Sequence, residues 1–477
     1  MIALILIAGL ILRLFKLDQS LWLDEAINVT FVKNLNLHSL IFDYSVGDFH
    51  PPLYHIMMRG WVLLFGTSEI AVRLPSVILG LATVYVVYLI AKKLFDNKTA
   101  LISATLIATS PLHVYYSQEA RMYMLAAFFA GLSVYFFVSI AKKETLIYWF
   151  GFVVSTALML YSDYLPYLLF PVYVIFLLIF RNKIQKSTVK TFLPAFVLIF
   201  VLVLPWFLIF PKQLATGLSA AAASPAWSNV VGASSLKDLA VTYVKFVIGR
   251  ISNDNNLIYA LLFAPGGTIF ALLMILSSFR MNHLRFFLWL WLLVPIIVAF
   301  LISFFVPVFA YFRFIFILPA FYMLIAASVN LVNWPKFNRI FLTLFLTINL
   351  VSLGIYFTNT KFQRENWKGA VSYIQSASDN NSIVLFEASG PFLPFDYYNK
   401  GRLKAYGALE GFNSDQKKVA ERINQLTQDT NKVFLFQYLS QITDPEGFVF
   451  SELSKKGFAN VHTKDFDGVG FVYEFAR

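Results

Sequence analysis

Residues 74–91 read LPSVILGLATVYVVYLIA, a run of 18 residues without a charged side chain. A helix of about this length crosses the ~30 Å hydrocarbon core of a bilayer. The chain has 477 residues, 58% of them hydrophobic and only 13% charged, which is more apolar surface than a soluble core needs. The sequence therefore predicts an α-helical polytopic membrane protein. About eleven spans are expected, near residues 1–14, 74–91, 99–116, 123–141, 146–162, 165–180, 192–210, 257–277, 286–305, 312–331 and 340–357.

The charged residues are distributed unevenly between the two ends of these spans. The formal charge is +12, but the residues from Lys361 onward hold 14 acidic and 14 basic side chains, so the excess lies in the membrane half. With the N-terminus in the cytoplasm, the positive-inside rule is met at every turn. The loops predicted to be inside carry Lys92, Lys93, Lys98, Lys142, Lys143, Arg181, Lys183, Lys186, Lys190, Arg280, Arg285, Lys336 and Arg339. The charge thus indicates orientation in the cell membrane and contact with membrane lipids, not nucleic-acid binding.

Two long loops are predicted outside, at about residues 17–73 and 211–256. The first contains the short apolar segment 53–65, which suits a helix lying in the interface. A twelfth, short span is the alternative, but it would invert every later loop and break the charge rule.

The chain divides at about residue 358 into a membrane module, 1–358, and a soluble part, 359–477. In the soluble part, helix-like stretches at 366–377 and 416–427 alternate with strand-like stretches at 382–386, 432–436 and 471–475. This alternation predicts a small α/β domain. An odd number of spans places that domain on the extracytoplasmic side.

The first outer loop concentrates polar residues capable of chemistry. Asp24 and Glu25 lie in LWLDEA (21–26), and Asp48 and His50 lie in DFHPPL (48–53). Carboxylates at a bilayer surface are expensive to dehydrate, so a cluster there indicates function. A carboxylate can take a proton from an attacking hydroxyl while cations hold an anionic leaving group. The alternatives remain that Asp24 or Glu25 only caps the next helix, and that His50 is a rigid-turn residue or a donor to a carboxylate.

Two arginines lie at the outer mouths of spans, where topology does not favour basic residues. Arg121 lies in SQEARMY (117–123), and Arg313 lies in YFRFIFILP (311–319). Arginine binds phosphate through two parallel hydrogen bonds, and a lipid phosphate sits at this depth. Each arginine could instead extend to lipid headgroups, and Glu119 could simply pair with Arg121.

The chain has no cysteine, so neither disulfides nor thiolate metal sites are available. A divalent metal held by Asp24, His50 and Glu119 is conceivable for oxygen-rich ligands, but the spacing gives it no direct support, and metal use stays undetermined. A lipid or sugar transporter, or flippase, is the alternative from another class. It would need polar or broken helices near the midplane, where the sequence shows no acid. A membrane receptor would have no need of the loop-one acids.

Taken together, the motifs resemble family 39 glycosyltransferases, the prokaryotic relatives of protein O-mannosyltransferases and of lipid A aminoarabinose transferases. The resemblance covers nearly the whole membrane region, in order. It rests on LWLDEA (21–26), DFHPPL (48–53), RLPS (73–76), SPLH (110–113), QEARMY (118–123), and Arg313 before Pro319.

The resemblance implies a GT-C fold with its active site on the extracytoplasmic face. It implies a sugar donor carried on a polyprenyl phosphate rather than on a nucleotide. The acceptor is left open between a lipid, a glycan and a protein. Asp24 matches the family's loop-one acid, which activates the acceptor, and His50-Pro51-Pro52 matches its second loop-one motif. Glu25 or His50 is then expected to orient Asp24 or the acceptor, and Asp48 to support the loop. The donor phosphate is expected near Arg121 and Arg313, with Glu119 and Tyr123. Because the chain lacks the MIR-like insertion of the eukaryotic enzymes, the resemblance does not carry over a protein acceptor.

Overall fold

The structure is a computed structural model of the chain. It describes residues 1–223, 235–253, 255, 257, 267–268, 271, 275, 282–331, 335–411 and 415–477. The described residues form two compact units. The first comprises those of Met1–Leu17, Leu35–Gly217 and Val231–Thr358, and the second comprises those of Asp18–Asn34, Leu218–Val230 and Asn359–Arg477.

The first unit is helical. Its α-helices in the described residues are Ile2–Leu14, Leu37–Ser39, Ser45–Gly47, Leu53–Phe65, Glu69–Leu94, Asn97–Ala108, Pro111–Ser117, Tyr123–Lys142, Leu146–Leu160, Leu169–Phe180, Lys186–Phe207, Leu236–Ile248, His283–Ile302, Leu318–Leu331 and Pro335–Thr358. The helix Phe210–Ala223 belongs to this unit as far as Gly217. Residues Leu40–Tyr44 form a π-helical turn, and Leu165–Leu168, Arg181–Lys183 and Tyr311–Ile317 form 3₁₀ turns.

Seven helices in the described part of the chain are long and apolar enough to cross a membrane: Glu69–Leu94, Tyr123–Lys142, Leu165–Lys183, Lys186–Phe207, Arg285–Ile302, Tyr311–Val329 and Asn338–Thr358. The polytopic prediction is confirmed. The predicted spans at 1–14 and 146–162 are shorter apolar helices, Ile2–Leu14 and Leu146–Leu160, as is Leu53–Phe65. The predicted span at 257–277 lies largely outside the described residues.

One predicted span is broken in the structure. In place of a single helix at 99–116, the chain forms Asn97–Ala108 and Pro111–Ser117. Ser110 adopts an extended conformation, and its hydroxyl accepts a hydrogen bond from the amide of His113. Pro111 lacks an amide hydrogen and suits the first position of a new helix, so the sequence Ser110-Pro111 begins a second helix.

The break is held by Arg13, which is fully buried near the end of Ile2–Leu14. Its guanidinium donates to the carbonyl of Ala108 at 3.0 Å and to Ser117 Oγ at 3.1 Å, and it lies 2.8 Å from His113 Nδ1. The carbonyl at the end of one helix and two side chains of the next therefore share one cation. Such contacts satisfy a buried guanidinium that would otherwise be costly.

The segment predicted as an outer loop at 211–256 contains regular structure, namely the helices Phe210–Ala223 and Leu236–Ile248. The second begins at a capping box, in which Ser235 and Asp238 bond each other's backbone amides.

The second unit contains a five-stranded sheet of β1 (Ser382–Phe386), β2 (Ala405–Gly407), β3 (Lys432–Phe436), β4 (Ala459–Phe466) and β5 (Gly470–Ala476). The strand order is β2-β1-β3-β5-β4. Strand β1 pairs in parallel with β2 and β3, whereas β5 runs antiparallel to β3 and β4. The unit also contains the α-helices Leu23–Asn34, Trp367–Ala377, Leu393–Asn399, Gln416–Leu426, Ser440–Thr443 and Phe448–Lys455, and the 3₁₀ turn Thr360–Phe362.

Each face of this sheet is covered by helices. Trp367, Val371 and Ile374 pack with Phe386 and Phe436 on one face. The other face packs apolar side chains of Gln416–Leu426 and Phe448–Lys455 against the sheet. The small α/β domain is confirmed. Strands β2 and β4 were not predicted, because β2 has only three residues and β4 is exposed along most of its length and so lacks an apolar pattern.

Candidate active site

The loop-one backbone between Asp48 and His50 is unusual. Phe49 has a φ of 59°, in the left-handed region that non-glycine residues rarely adopt. This conformation costs about 1–2 kcal/mol, so the surrounding structure must enforce it. It turns His50 back on its neighbour, and His50 Nδ1 lies 3.1 Å from Asp48 Oδ2.

Asp48 is the centre of a polar cluster that also contains His50, His55 and Arg121, here called the Asp48 cluster. Arg121 Nη1 lies 3.2 Å from Asp48 Oδ1, and His55 Nε2 lies 3.2 Å from Asp48 Oδ2. The Asp48 side chain is 14% exposed, and that of Arg121 is 5% exposed. Burial by itself raises the pKa of Asp48, but Arg121 and the two histidines outweigh it and hold the pKa well below its ordinary value. Asp48 is therefore an anion at neutral pH.

Ser45 orients His55. Its hydroxyl lies 2.7 Å from His55 Nδ1 and 2.8 Å from the Leu40 carbonyl. A neutral imidazole has one donor and one acceptor nitrogen. The Ser45 hydroxyl has a single hydrogen, which goes either to His55 Nδ1 or to the Leu40 carbonyl. With Nε2 next to Asp48, both ring nitrogens of His55 have a polar partner.

Gln213 ties this loop to the helix Phe210–Ala223. Its amide group is buried and donates to the carbonyls of Ser45 at 2.8 Å and His50 at 3.3 Å. Its oxygen accepts from the Tyr164 hydroxyl, which in turn accepts from Trp206 Nε1 at 2.8 Å. The loop that carries the Asp48 cluster is thus supported by a chain of buried hydrogen bonds.

The turn between Pro111–Ser117 and Tyr123–Lys142 presents Arg121. Gln118, buried at the start of this turn, donates to the carbonyls of Arg13 at 3.0 Å and Phe15 at 2.7 Å. It also accepts from the Tyr356 hydroxyl at 3.0 Å. Two segments, the end of Ile2–Leu14 and the helix Pro335–Thr358, therefore fix the turn in place. Glu119 is 2% exposed and Tyr123 is 8% exposed, so both side chains lie inside the unit.

Arg313 has its own partners. Its Nη1 donates to the carbonyl of Val308 at 3.2 Å and, more weakly, to that of Pro307 at 3.4 Å. The neighbouring Phe312 ring stacks on Tyr116 and meets Tyr123 edge to face, with centroids 6.2 and 5.7 Å apart. Aromatic contacts thus join the turn of Arg313 to the turn of Arg121.

Two further basic side chains, Lys245 and Arg250, lie at the C-terminal end of the helix Leu236–Ile248. The Arg250 guanidinium lies 4.7 Å from the Tyr115 ring centroid and bonds the Tyr115 hydroxyl. Lys245 is buried and donates to the carbonyl of Ile251 at 2.6 Å. Burial, and then the positive charge of Arg250, lower the pKa of Lys245 to about 8. An amine of this kind is still mostly charged at pH 7 and can bind an anion.

Asp24 and Glu25 belong to the second unit, in the first turn of Leu23–Asn34. Glu25 is fully buried, and its Oε2 accepts from the amide of Trp22 at 3.4 Å, which is the reciprocal half of a capping box. Asp24 is partly exposed. Of the two acids, Glu25 is therefore the one that caps the helix. Asp24 is the more accessible of the two carboxylates.

No group of three or more His, Asp or Glu side chains in the described ranges is placed to hold a metal ion.

The sequence profile of the family described as dolichyl-phosphate-mannose-protein mannosyltransferase matches residues 49–209. The match covers about a third of the chain. The Bacillus subtilis (strain 168) protein YkcB, a proposed mannosyltransferase, is 24% identical over 221 residues, which make up 43% of this chain and 30% of that protein. An Aquifex aeolicus (strain VF5) protein is 25% identical over 216 residues, which make up 43% of this chain and 42% of that protein. The similarity thus spans less than half the length of either relative.

Solved structures show the same fold. Apo ArnT from Cupriavidus metallidurans matches with a TM-score of 0.57 and 12% identity, over 99% of this chain and 96% of ArnT. ArnT bound to undecaprenyl phosphate gives a TM-score of 0.56. The oligosaccharyltransferase AglB from Archaeoglobus fulgidus, in complex with an inhibitory peptide and a dolichol-phosphate, gives 0.55 and 11% identity over 99% of this chain and 74% of AglB. This multi-pass membrane protein therefore has a GT-C fold.

The family match includes four of the predicted site residues, His50, Glu119, Arg121 and Tyr123. Within the first unit the structure joins Asp48, His50 and Arg121, although Asp48 and Arg121 lie 73 residues apart in the chain. It gives Arg121 and Arg313 separate partners, so a single phosphate held by both arginines stays a prediction.

The sequence analysis missed His55, Lys245 and Arg250. The last two lie in a predicted outer loop, where basic residues are not favoured, and the reasoning applied to Arg121 and Arg313 would have found them. His55 gave no signal, because its segment was assigned to an interfacial helix on its apolar residues.

Proposed function

We propose that this protein is a membrane glycosyltransferase that moves a sugar from a polyprenyl-phosphate donor to an acceptor hydroxyl on the extracytoplasmic face, with inversion at the anomeric carbon. The Asp48 cluster carries the proposal. A buried carboxylate is paired there with an arginine and oriented by two histidines, in the loop that bears the family motif. The family match and the fold shared with ArnT and AglB support it.

A lipid-linked phosphate is the donor chemistry that these residues suit. Four cations of the first unit lie near tyrosine side chains, outside its long spans or at their ends: Arg121, Lys245, Arg250 and Arg313, with Tyr115, Tyr116, Tyr123 and Tyr311. ArnT, which has the same fold, is known in a structure with undecaprenyl phosphate bound, and this supports a carrier of that kind. In the resting protein Asp48 supplies the countercharge of Arg121.

In the proposed step, the acceptor oxygen attacks the anomeric carbon from the face opposite the phosphate. The bond between that carbon and the phosphate oxygen breaks, and the polyprenyl phosphate leaves with one additional negative charge. The acceptor hydroxyl transfers its proton to Asp24, which acts as general base. Arg121 and Arg313, joined by Lys245 and Arg250, stabilise the charge that develops on the phosphate. Glu25 holds the helix turn that carries Asp24.

The test is phosphate release by purified full-length protein and by its Asp24→Asn variant. The probes are undecaprenyl-phosphate mannose and undecaprenyl-phosphate glucose, supplied in vesicles of bacterial lipid extract that contain acceptors. We expect the wild type to release undecaprenyl phosphate from one of them. We expect Asp24→Asn to release it at least ~100-fold more slowly, because a general base contributes about 10²–10⁴-fold.

Asp18→Asn is the matched control. Asp18 is exposed and lies six positions earlier in the same unit, so its substitution should leave release unchanged. Near-wild-type release by Asp24→Asn would remove Asp24 as the base. Movement of the intact donor across the vesicle membrane without release would instead favour a transporter or flippase.

A further inference from the structure

The segment that carries Asp24 is built into the C-terminal domain. Gln19 Oε1 accepts from the amide of Arg364 at 2.9 Å, and Ser20 Oγ accepts from the amide of Lys368 at 3.0 Å. The amide of Leu21, a fully buried residue, donates to the Tyr398 hydroxyl at 2.8 Å. These three consecutive residues are therefore fixed by residues more than 340 positions later in the chain.

Glu365 makes the next contact along this segment. Its Oε2 accepts from the amide of Leu23 at 3.2 Å and from Trp367 Nε1 at 2.7 Å. Its Oε1 accepts from the Tyr438 hydroxyl at 3.0 Å. The carboxylate therefore uses both oxygens and joins the first residue of the helix Leu23–Asn34 to two aromatic side chains of the domain core.

The backbone around Glu365 leaves it little room to move. The next residue, Asn366, donates its amide to the Asp467 carbonyl at 2.8 Å, in the turn between β4 and β5. Gly468 in that turn has a φ of 73°, and a Cβ there would lie 3.0 Å from the Cα and Cγ of Glu365. The turn thus packs directly on Glu365, and a rigid hairpin supports its carboxylate.

Leu23 is the residue before Asp24, and its amide is one of the N-terminal amides that a helix cannot satisfy internally. Glu25 accepts from Trp22, and Glu365 accepts from Leu23. The first turn is thus capped by two carboxylates other than Asp24, one from the helix itself and one from the C-terminal domain. The direction of the Asp24 side chain depends on that turn, because its Cα lies within it.

We propose that Glu365 is a positioning residue for Asp24, through which the C-terminal domain orients the general base. This inference rests on the proposed function, in which Asp24 takes the acceptor proton. The domain is then a working part of the transferase, and Glu365 acts without touching the substrate.

The electrostatic surroundings of Glu365 predict a pH dependence of the release rate. A residue that only packed against the segment would not produce it. The groups that face it are the Trp367 indole and the Tyr438 hydroxyl from the domain, and the Leu23 amide and Asp24 from the helix. Burial raises the pKa of Glu365 to about 7, against the opposing effect of its three hydrogen bonds. Glu365 therefore gains its charge near neutral pH, where that charge strengthens the bond to Leu23 and raises the basicity of Asp24.

The experiment compares full-length wild type with Glu365→Ala and Glu365→Gln. The first measurement is amide hydrogen exchange at residues 19–26, and the second is the rate of undecaprenyl phosphate release from the active probe between pH 5 and 9. We expect Glu365→Ala to accelerate exchange in this segment and to slow release roughly 10- to 100-fold, because small displacements of a reacting group have effects of that size. Glu365→Gln keeps an acceptor for Leu23 and should restore most of the rate, but the rise through pH 7 should be lost.

Glu452→Gln is the matched control, a carboxylate of the same domain that accepts from Gln416 and Lys455. It should change neither measurement. The inference is overturned if exchange at residues 19–26 is unchanged in Glu365→Ala, or if Glu365→Gln keeps the rise through pH 7. Absence of release by the wild type would count against the proposed function, and the exchange measurement would still decide whether Glu365 holds the segment.

Discussion

Asp48 shows how much a single side chain can organise. Its two oxygens face one guanidinium and two imidazoles, and it lies beside the left-handed backbone of Phe49. The favourable charges outweigh the effect of burial, so the carboxylate stays ionised. At the residue scale the Asp48 cluster is a preorganised polar centre. Removing the charge of Asp48 should therefore affect both stability and activity.

We expect Asp48→Asn to lower the free energy of unfolding at pH 7 by about 2–3 kcal/mol, because Arg121 loses the countercharge of a mostly buried pair. The pKa of Asp48 is depressed on folding, so this stabilisation is present above its ordinary value of 3.8 and is lost as the pH falls towards the lower folded-state pKa. The difference between variant and wild type should therefore shrink below pH 4. Thermal unfolding in detergent across this pH range measures it.

Asp43→Asn serves as the comparison for this variant, since Asp43 is exposed and lies in the same loop. Its unfolding temperature should match that of the wild type at each pH. Equal stability of Asp48→Asn and wild type at pH 7 would mean that the ion pair with Arg121 does not hold the loop.

At the scale of elements, the close approach of two helices decides where the Arg13 contacts form. Gly80 lies in Glu69–Leu94, opposite Ser117 of Pro111–Ser117, and a Cβ at Gly80 would lie 2.3 Å from Ser117 Oγ. The same hydroxyl accepts from Arg13 Nε. The absence of a side chain at Gly80 thus allows three helices to meet at one buried cation.

We expect Gly80→Ala to destabilise the membrane unit by about 1–3 kcal/mol, because the added methyl group must displace Ser117 from a packed interface. Gly354→Ala is the matched change, in the long helix Pro335–Thr358, where a Cβ would meet no atom within 4 Å. It should leave stability unchanged or slightly higher, since alanine is the better helix former. Thermal unfolding of both variants in detergent measures the difference, and equal behaviour would contradict the close contact.

At the scale of the whole molecule, the sequence predicts that the N-terminus is cytoplasmic and the C-terminal domain extracytoplasmic. The chain contains no cysteine, so single cysteines can report each side of the membrane without a background. Ser376 is exposed in the C-terminal domain, and Lys98 is exposed in a loop predicted to face the cytoplasm.

A membrane-impermeant maleimide applied to intact cells should label Ser376→Cys and should label Lys98→Cys only after permeabilisation. The reason is that basic residues are concentrated in alternate loops, and loops rich in Lys and Arg stay on the cytoplasmic side during membrane insertion. Labelling of both sites after permeabilisation shows that each cysteine is reactive. The reverse pattern in intact cells would invert the orientation and place the proposed active site in the cytoplasm.

The sequence by itself determined the membrane class and much of the C-terminal domain, because both depend on local patterns. Apolar runs long enough for a bilayer identify spans one by one, and the buried central strands Ser382–Phe386 and Lys432–Phe436 are continuous apolar runs whose ends match the prediction. Two features without such a pattern were not predicted. They are the exposed strand β4 and the helix break before Pro111, where the mean hydropathy over a span-length window stays high.

Only the tertiary structure decided which distant residues meet. The ion pair of Asp48 with Arg121 joins residues 73 positions apart, and the bond from Leu23 to Glu365 joins residues 342 positions apart. An aspartate that pairs with an arginine has the same local sequence as one exposed to water. Its partner is set by how whole helices and sheets pack, since a carboxylate loses its hydration on burial and must find compensating charge or donors wherever the fold has placed them.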